Sequence, residues 1–229
     1  MLGNETRFST ESMSTMDFSN QRQEYTREPI DIDDLDPSPI RQFEAWFQEV
    51  NGNAAIIEPN AMVLCTVDAD GRPTQRTVLL KLFDESGFVF FTGGTSRKAQ
   101  QIAGHPNVSL LFPWYAMQRQ IEINGVAEKI TMSESVKYFA LRPRGSQLGA
   151  WVSNQSTVVP TRSVLQNKLA EMTRKFSSGT IPMPPTWGGY RVRPYRVEFW
   201  QGGANRLHDR IEYRYSNESQ TWNRNRLAP

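Results

Sequence analysis

The sequence predicts a mainly β protein, an antiparallel barrel with peripheral helices. Three observations lead there. Apolar or alternating runs recur along the chain, split by turn signals such as "ADGRP" and "DESG". These runs outnumber the stretches with helical spacing. Most connections between them are too short for the crossover helices that parallel strands need.

Residues 1–36 are polar and lack periodicity, which predicts a mobile tail carrying Arg22, Tyr25 and Arg27 in "RQEYTRE". Residues 37–229 then form a single domain. In "DPSPIRQFEAWFQEV", Ile40, Phe43, Phe47 and Val50 recur at helical spacing behind a Ser38 cap and Pro39 at the first turn. The runs "AMVLCTVD", "TQRTVLLKLF" and "FVFFTGG" read as strands, and "TSRKAQQIAG" as a short helix closed by Gly104. "VSLLFPW" and "RQIEINGVAEKI" are further strands. The capping signature "TMSE" opens a helix, "SVKYFAL", that Pro143 ends, and a longer helix, "TRSVLQNKLAEMTRKF", follows Pro160. "YRVEFWQGG", "NRLHDRIEYRY" and "TWNRNRL" close the chain as strands, with a turn at "SNESQ".

Composition narrows the functional classes. With 26 Lys plus Arg against 24 Asp plus Glu, the net charge of +2 lacks the basic bias of a dedicated nucleic-acid binder, so any anion must be held by local clusters. Cys65, the one cysteine, rules out an intramolecular disulfide; inside "AMVLCTV" it is expected buried and inert, in a reducing compartment. No run reaches the ~18 apolar residues of a membrane span, and the N-terminus has no apolar signal core. These features predict a soluble cytoplasmic protein. Two histidines and one cysteine make a metal centre a poor candidate, and none is expected.

What remains are cations beside hydroxyls and amides, in "QRTVLLK", "TSRK", "RPRGSQ" and "SNQS", which together point to more than one phosphate. Arg76 and Lys81 lie five apart and so on opposite faces of a regular strand. Ser96, Arg97 and Lys98 open a helix, where free N–H groups favour an anion and cations are otherwise slightly unfavourable. In "WQGGANRLHDR", period two would put Arg206, His208 and Arg210 in one row, with Leu207 and Asp209 behind and Trp200 alongside. Asp209 is expected to brace an arginine, and His105 of "GHPN" to be a turn residue.

"QRTVLLK", "FFTGGTSRK", "SLLFPW", "RQIEINGVAEKI", "YFALRPRGSQLGAWVSNQS", "WGGYRV", "EFWQGGANRLHDR" and the closing "RLAP", in this order from about Arg22 to Pro229, resemble the pyridoxamine 5′-phosphate oxidase family. The resemblance implies an FMN-binding split β-barrel and a homodimer with two FMN sites at the subunit interface. The implied FMN contacts are Arg76, Thr77, Val78, Leu79, Leu80 and Lys81; Phe91 and Thr92; Arg97 and Lys98; Gln120; Gln155 and Ser156; and Trp200 with Arg210. The substrate phosphate would meet Lys81, Tyr138, Arg142 and Ser146. The pyridine ring would be held along Arg206, Leu207 and His208, with Arg22 and Tyr25 of the tail closing over it. Gly93 stands where the family more often has Asn, and Gly145 where it has bulkier residues, which bears on fine specificity.

The implied reaction is oxidation of pyridoxamine or pyridoxine 5′-phosphate to pyridoxal 5′-phosphate, with dioxygen as acceptor and hydrogen peroxide as product. Arg206 and His208 are the residues assigned to the reacting ring, His208 as an orienting partner rather than an essential base. The alternative is a non-catalytic flavin or pyridoxal-phosphate carrier on the same barrel. A carrier would need neither Arg206 and His208 nor a second phosphate clamp, and both are present.

Overall fold

The computed structural model describes residues 16–21 and 23–229. Nine strands form one antiparallel sheet: β1 (Ala61–Val67), β2 (Pro73–Leu79), β3 (Leu82–Asp84), β4 (Gly87–Gly93), β5 (Asn107–Trp114), β6 (Arg119–Lys129), β7 (Trp187–Gln201), β8 (Asp209–Ser216) and β9 (Thr221–Leu227). Their order is β2-β1-β5-β6-β7-β4-β3, with β8 added to β7 and β9 to β8. The sheet curls because β2 and β3 stand at its two ends yet are joined by only two residues. Leu80 N–H donates to Asn60 O on the β1 side, and Lys81 N–H to Val89 O on the β4 side. The run "TQRTVLLKLF", expected as one strand, is therefore broken at Leu80–Lys81, and that break closes the barrel.

β7 splits it. One edge of β7 pairs with β6 over almost its full length, while the other is divided, residues 187–192 pairing with β4 and 196–201 with β8. The result is a split antiparallel barrel, as expected.

Alternation fills the interior. Leu64, Phe88, Phe112, Ile121, Ile123, Val197 and Phe199 point inward and are fully buried. One mouth is plugged by α1 (Pro39–Asn51), which is capped by the Ser38 side chain accepting from Arg41 N–H and has Pro39 as its first residue. Phe43 meets Phe83, Phe88 and Phe112 edge-on at 4.9–5.1 Å between centroids for the first two and 5.0 Å for the third. Trp46 packs on Phe199 at 5.1 Å and lies under the Arg119 guanidinium at 4.1 Å. α2 (Arg97–Gly104) lies beside β1, and α3 (Met132–Leu141), α4 (Arg144–Val152) and α5 (Arg162–Lys175) form a second apolar cluster with Trp187. α4 went unread in the sequence. Among the described residues no helix is long and apolar enough to cross a membrane.

Two expectations are corrected. The tail assigned to residues 1–36 is docked from Thr26 onward: Thr26 N–H donates to the Gln118 side chain, Ile30 N–H to Asp209, and Arg224 to the carbonyls of Ile32 and Leu35. Leu35 is buried in the core. Cys65 is half-buried rather than buried, since its side chain faces out from β1 while its neighbours Leu64 and Thr66 face in.

Phe43 fills the barrel mouth with no exposed surface. Phe43→Ala should lower the unfolding free energy by about 3–5 kcal/mol, the usual cost of such a cavity. Urea titrations of both proteins at one concentration check it.

Candidate active site

A cavity of about 290 Å³ opens where β2, β4, α2 and α3 converge. Thr77, Val78 and Leu79 reach it from β2 and Lys81 from the break that follows; Phe91 and Thr92 come from β4, Lys98 from α2, Tyr138 and Arg142 from the end of α3, and Gln155 from beyond α4. These ten were all assigned to the site from sequence. A second cavity, of about 200 Å³, shares Arg142 and Gln155 with the first and adds Ser146. No carboxylate lines either.

Local structure explains the placement. Ser96 caps α2, its hydroxyl accepting from Ala99 N–H, so Lys98 is turned toward Thr92, to whose hydroxyl it donates at 3.2 Å. Gln155 crosses from the α4 side and accepts from Thr92 Oγ1 at 2.9 Å and Gly93 N–H at 3.2 Å. Ser156, held at a φ of 70°, accepts from Arg97 N–H at 3.2 Å. Arg142 stands at the corner between α3 and α4, and the Gln147 side chain fixes that corner by donating to the end carbonyls of α3 at Phe139 and Ala140.

The electrostatics are one-sided. Burial pushes the Lys98 ammonium below its ordinary value, and nearby Arg76 pushes it the same way. Burial also lowers Arg76 and Arg142, and raises the Tyr138 phenol so that it stays a neutral donor. Arg142 Nη1 is buried with no hydrogen-bond partner. Its guanidinium lies 4.8 Å over the Trp187 ring, which stacks on Phe91 at 5.0 Å, and Phe91 in turn stacks on Tyr138 at 4.0 Å. Gly189 leaves room for this stack, since a Cβ there would come within 2.8 Å of Phe91. Desolvated cations with a free donor and no acid nearby fit an anionic group such as a phosphate monoester.

Arg76 does not line this cavity, and the spacing argument does not account for that, because β2 ends at Leu79 and Lys81 lies beyond the break. Its guanidinium donates to Thr66 Oγ1 at 2.6 Å, Thr74 Oγ1 at 2.7 Å and Gln101 Oε1 at 3.3 Å. Leu80, assigned to the cofactor, is buried in the core. Trp187, Gln147, Gln101 and Thr66 were missed. "WGGYRV" did contain Trp187, but a tryptophan at a strand start is indistinguishable from core.

The remaining assigned residues lie elsewhere. Gln120, Trp200 and Arg210 are directly opposite one another on β6, β7 and β8, and so share one outward face. None of them lines the cavity. Trp187 and Trp200 stand at the two ends of β7, roughly 40 Å of extended chain. Arg210 is tied to both oxygens of buried Glu198, at 2.8 and 3.1 Å, and to the Ala228 carbonyl. His208 packs between Trp200 and Tyr25, at 4.9 and 5.5 Å, and its Nδ1 accepts from Gly203 N–H at 3.1 Å. A neutral imidazole bonded so carries its proton on Nε2 and presents a donor.

The row of Arg206, His208 and Arg210 is corrected. β8 begins only at Asp209, and Asn205 and Arg206 have left-handed φ of 53° and 66°, so period two does not extend through Arg206. Arg206 and Leu207 are exposed. Asp209 braces Arg226, as expected of an arginine partner, and His105 caps the end of α2. Arg22 lies outside the described residues.

A split antiparallel barrel with a desolvated cationic cavity at its rim defines a barrel protein built for a phosphorylated ligand. Residues 51–176 match the family described as pyridoxamine 5′-phosphate oxidase, and residues 187–229 match the pyridoxine 5′-phosphate oxidase C-terminal dimerisation region. The chain belongs to the pyridoxamine 5′-phosphate oxidase family. It is 54% identical to the pyridoxine/pyridoxamine 5′-phosphate oxidase of Crocosphaera subtropica over 93% of this chain and 100% of that one. It is 53% identical to the protein of the same name from Rubrobacter xylanophilus, over 93% and 97%. Among solved structures, PhzG from Burkholderia lata 383, in complex with tetrahydrophenazine-1-carboxylic acid, superposes with a TM-score of 0.83 at 29% identity, covering 90% of this chain and all of that one.

Lys98 is held at a desolvation cost in the absence of an anion. Lys98→Met should raise the thermal midpoint of ligand-free protein by about 2–4 °C, roughly 1 kcal/mol for a chain of this size. The family resemblance places Lys98 on FMN, and on that reading the same change should weaken FMN binding at least about tenfold, through loss of a charge-assisted contact. Calorimetry of the stripped protein and a flavin titration read the two effects.

Proposed function

We propose that the chain oxidises pyridoxamine 5′-phosphate or pyridoxine 5′-phosphate to pyridoxal 5′-phosphate, with FMN as cofactor and dioxygen as electron acceptor. The observation that carries this is the pair of uncompensated cation sets around one cavity, Lys98 with Thr92, Gln155 and Ser156 on one side, Lys81 with Tyr138 and Arg142 on the other. A phosphorylated cofactor lying against a phosphorylated substrate needs two such sets. Membership of the family and the identity to named oxidases support the same reading.

Arg76, Arg97, Lys98, Gln155 and Ser156 hold the FMN phosphate. Thr77, Val78, Leu79, Lys81, Phe91 and Thr92 form the wall along its body. Arg142, with its free Nη1, and Lys81, Tyr138 and Ser146 clamp the substrate phosphate. Bound FMN supplies the two-electron redox chemistry, with dioxygen as final acceptor and hydrogen peroxide as product. The chain's own task is to hold C4′ of the substrate in place and exclude water around it.

Arg206, Leu207 and His208 take the pyridine ring, and Gln120, Trp200 and Arg210 the flavin. Because these stand at the far end of β7 from the cavity, a second copy of the chain supplies them, and the FMN lies between subunits of a homodimer. The match of residues 187–229 to a dimerisation region supports this. His208 orients the ring through Nε2–H, since Nδ1 is already engaged by Gly203. The single unpaired Cys65 suits a reducing compartment, and we place the enzyme in the cytoplasm.

The test is direct. The purified protein, reconstituted with FMN, should convert pyridoxamine 5′-phosphate in air to the aldehyde with matching peroxide; flavin bound without turnover would leave a carrier. Arg142→Ala should raise the KM for this substrate by about tenfold or more while flavin content stays near normal. Parallel loss of flavin would move Arg142 to the cofactor phosphate.

A further inference from the structure

Tyr25 was expected on a tail that closes over substrate, and its ring is seated against the end of β7 and His208. It lies edge-on to Trp200 at 5.6 Å and to His208 at 5.5 Å. Two features hold it there. Gly202 forms the floor, since a Cβ on it would come within 2.6 Å of two Tyr25 ring atoms, closer than any real packing allows. Gln118 forms the staple: its side-chain Oε1 accepts from Thr26 N–H at 3.0 Å while its backbone carbonyl accepts from Gly202 N–H at 2.8 Å. One residue thus joins the N-terminal segment to the strand end that carries its floor. Gln118 reaches both because it sits in the left-handed region, at a φ of 52°, where the chain turns into β6. Two further bonds fix the register downstream, from Gln201 Nε2 to Glu28 O at 2.9 Å and from Ile30 N–H to Asp209 at 3.1 Å.

We propose that Gly202 and Gln118 are positioning residues that hold the Tyr25 ring against His208. The inference rests on the reading above that Tyr25 and His208 face the substrate ring. The seated ring confines His208 from one side, so loosening it would free both the imidazole and residues 23–30.

The test is a cycle of variants in the FMN-loaded full-length protein, read by hydrogen–deuterium exchange of residues 23–30 and by KM for pyridoxamine 5′-phosphate. Gly202→Ala should speed exchange of these amides and raise KM, each by about tenfold, with flavin content unchanged. In a Tyr25→Ala background the same substitution should add less than about twofold to either, because the ring it displaces is gone. Gln118→Asn keeps a residue that tolerates left-handed φ but shortens the acceptor, and should speed exchange at Thr26. Faster exchange with unchanged KM would keep the seat and overturn its place beside the substrate. Equal effects of Gly202→Ala with and without Tyr25, or unchanged exchange in Gln118→Asn, would overturn the seat itself.

Discussion

The architecture depends on one constraint, the sharing of a single edge of β7. This strand pairs with β6 almost throughout, so its other edge is its only remaining bonding surface, and two strands divide it. Where β4 takes the first half, the barrel closes and a cavity forms against α3 and the helices that follow. Where β8 takes the second half, the sheet runs on outward to β9 and the C-terminus. One strand thus carries two chemically different ends: Trp187 in the wall of the cationic cavity, and Trp200 beside His208. Neither end can reach the other within one chain, which is why the proposed active site calls for a second copy.

The cavity end bears a cost that folding alone does not repay. Arg76, Lys98 and Arg142 are all depressed by burial, and no carboxylate lines the cavity to compensate them. Neutral acceptors hold Arg76 in place without cancelling its charge, through Thr66, Thr74 and Gln101. Such a site keeps its attraction for an incoming phosphate because nothing inside the protein has used it up. The barrel core, with α1 as its plug, supplies the stability that tolerates it.

Much of this was legible in the sequence, for physical reasons that also mark the limits. α1, α2 and α3 carry capping side chains at Ser38, Ser96 and Thr131, and local hydrogen bonds of this kind can be read from neighbouring residues. α4 has no side-chain cap and contains Gly145 and Gly149, so its local signal is weak; packing of Leu148 and Val152 on Trp187's cluster makes it a helix. The break at Leu80–Lys81 lies in "TVLLKLF", which has no glycine, proline or other turn signal, and only the closure of the barrel demands it. The cavity residues came from the family resemblance, whose motifs each lie on a short local stretch. The row through Arg206 was misread because left-handed residues at Asn205 and Arg206 carry no side-chain signature beyond the asparagine. The docking of residues 26–35 depends on Asp209, Arg224 and Arg226, nearly two hundred positions away, which no local pattern reveals.

The two ends also use arginine in opposite ways, and the difference assigns them different work. On the outward face of β6–β8, Glu198 and Glu212 are buried and bound by Arg196, Arg210 and Arg214, and these pairings hold the Glu212 carboxyl below its ordinary value. As the proposed flavin contact, Arg210 has its charge largely answered by Glu198 and its plane fixed by two bonds. What it can offer is a directed N–H, which orients a partner but attracts it little from a distance. Arg142 is the reverse: its charge is unanswered and one nitrogen is free, so it attracts strongly. An enzyme that must capture phosphates and then hold a ring at a fixed angle needs both kinds. Glu198 and Glu212 are already bound by Arg196, Arg210 and Arg214, so they are not left free to neutralise Arg142.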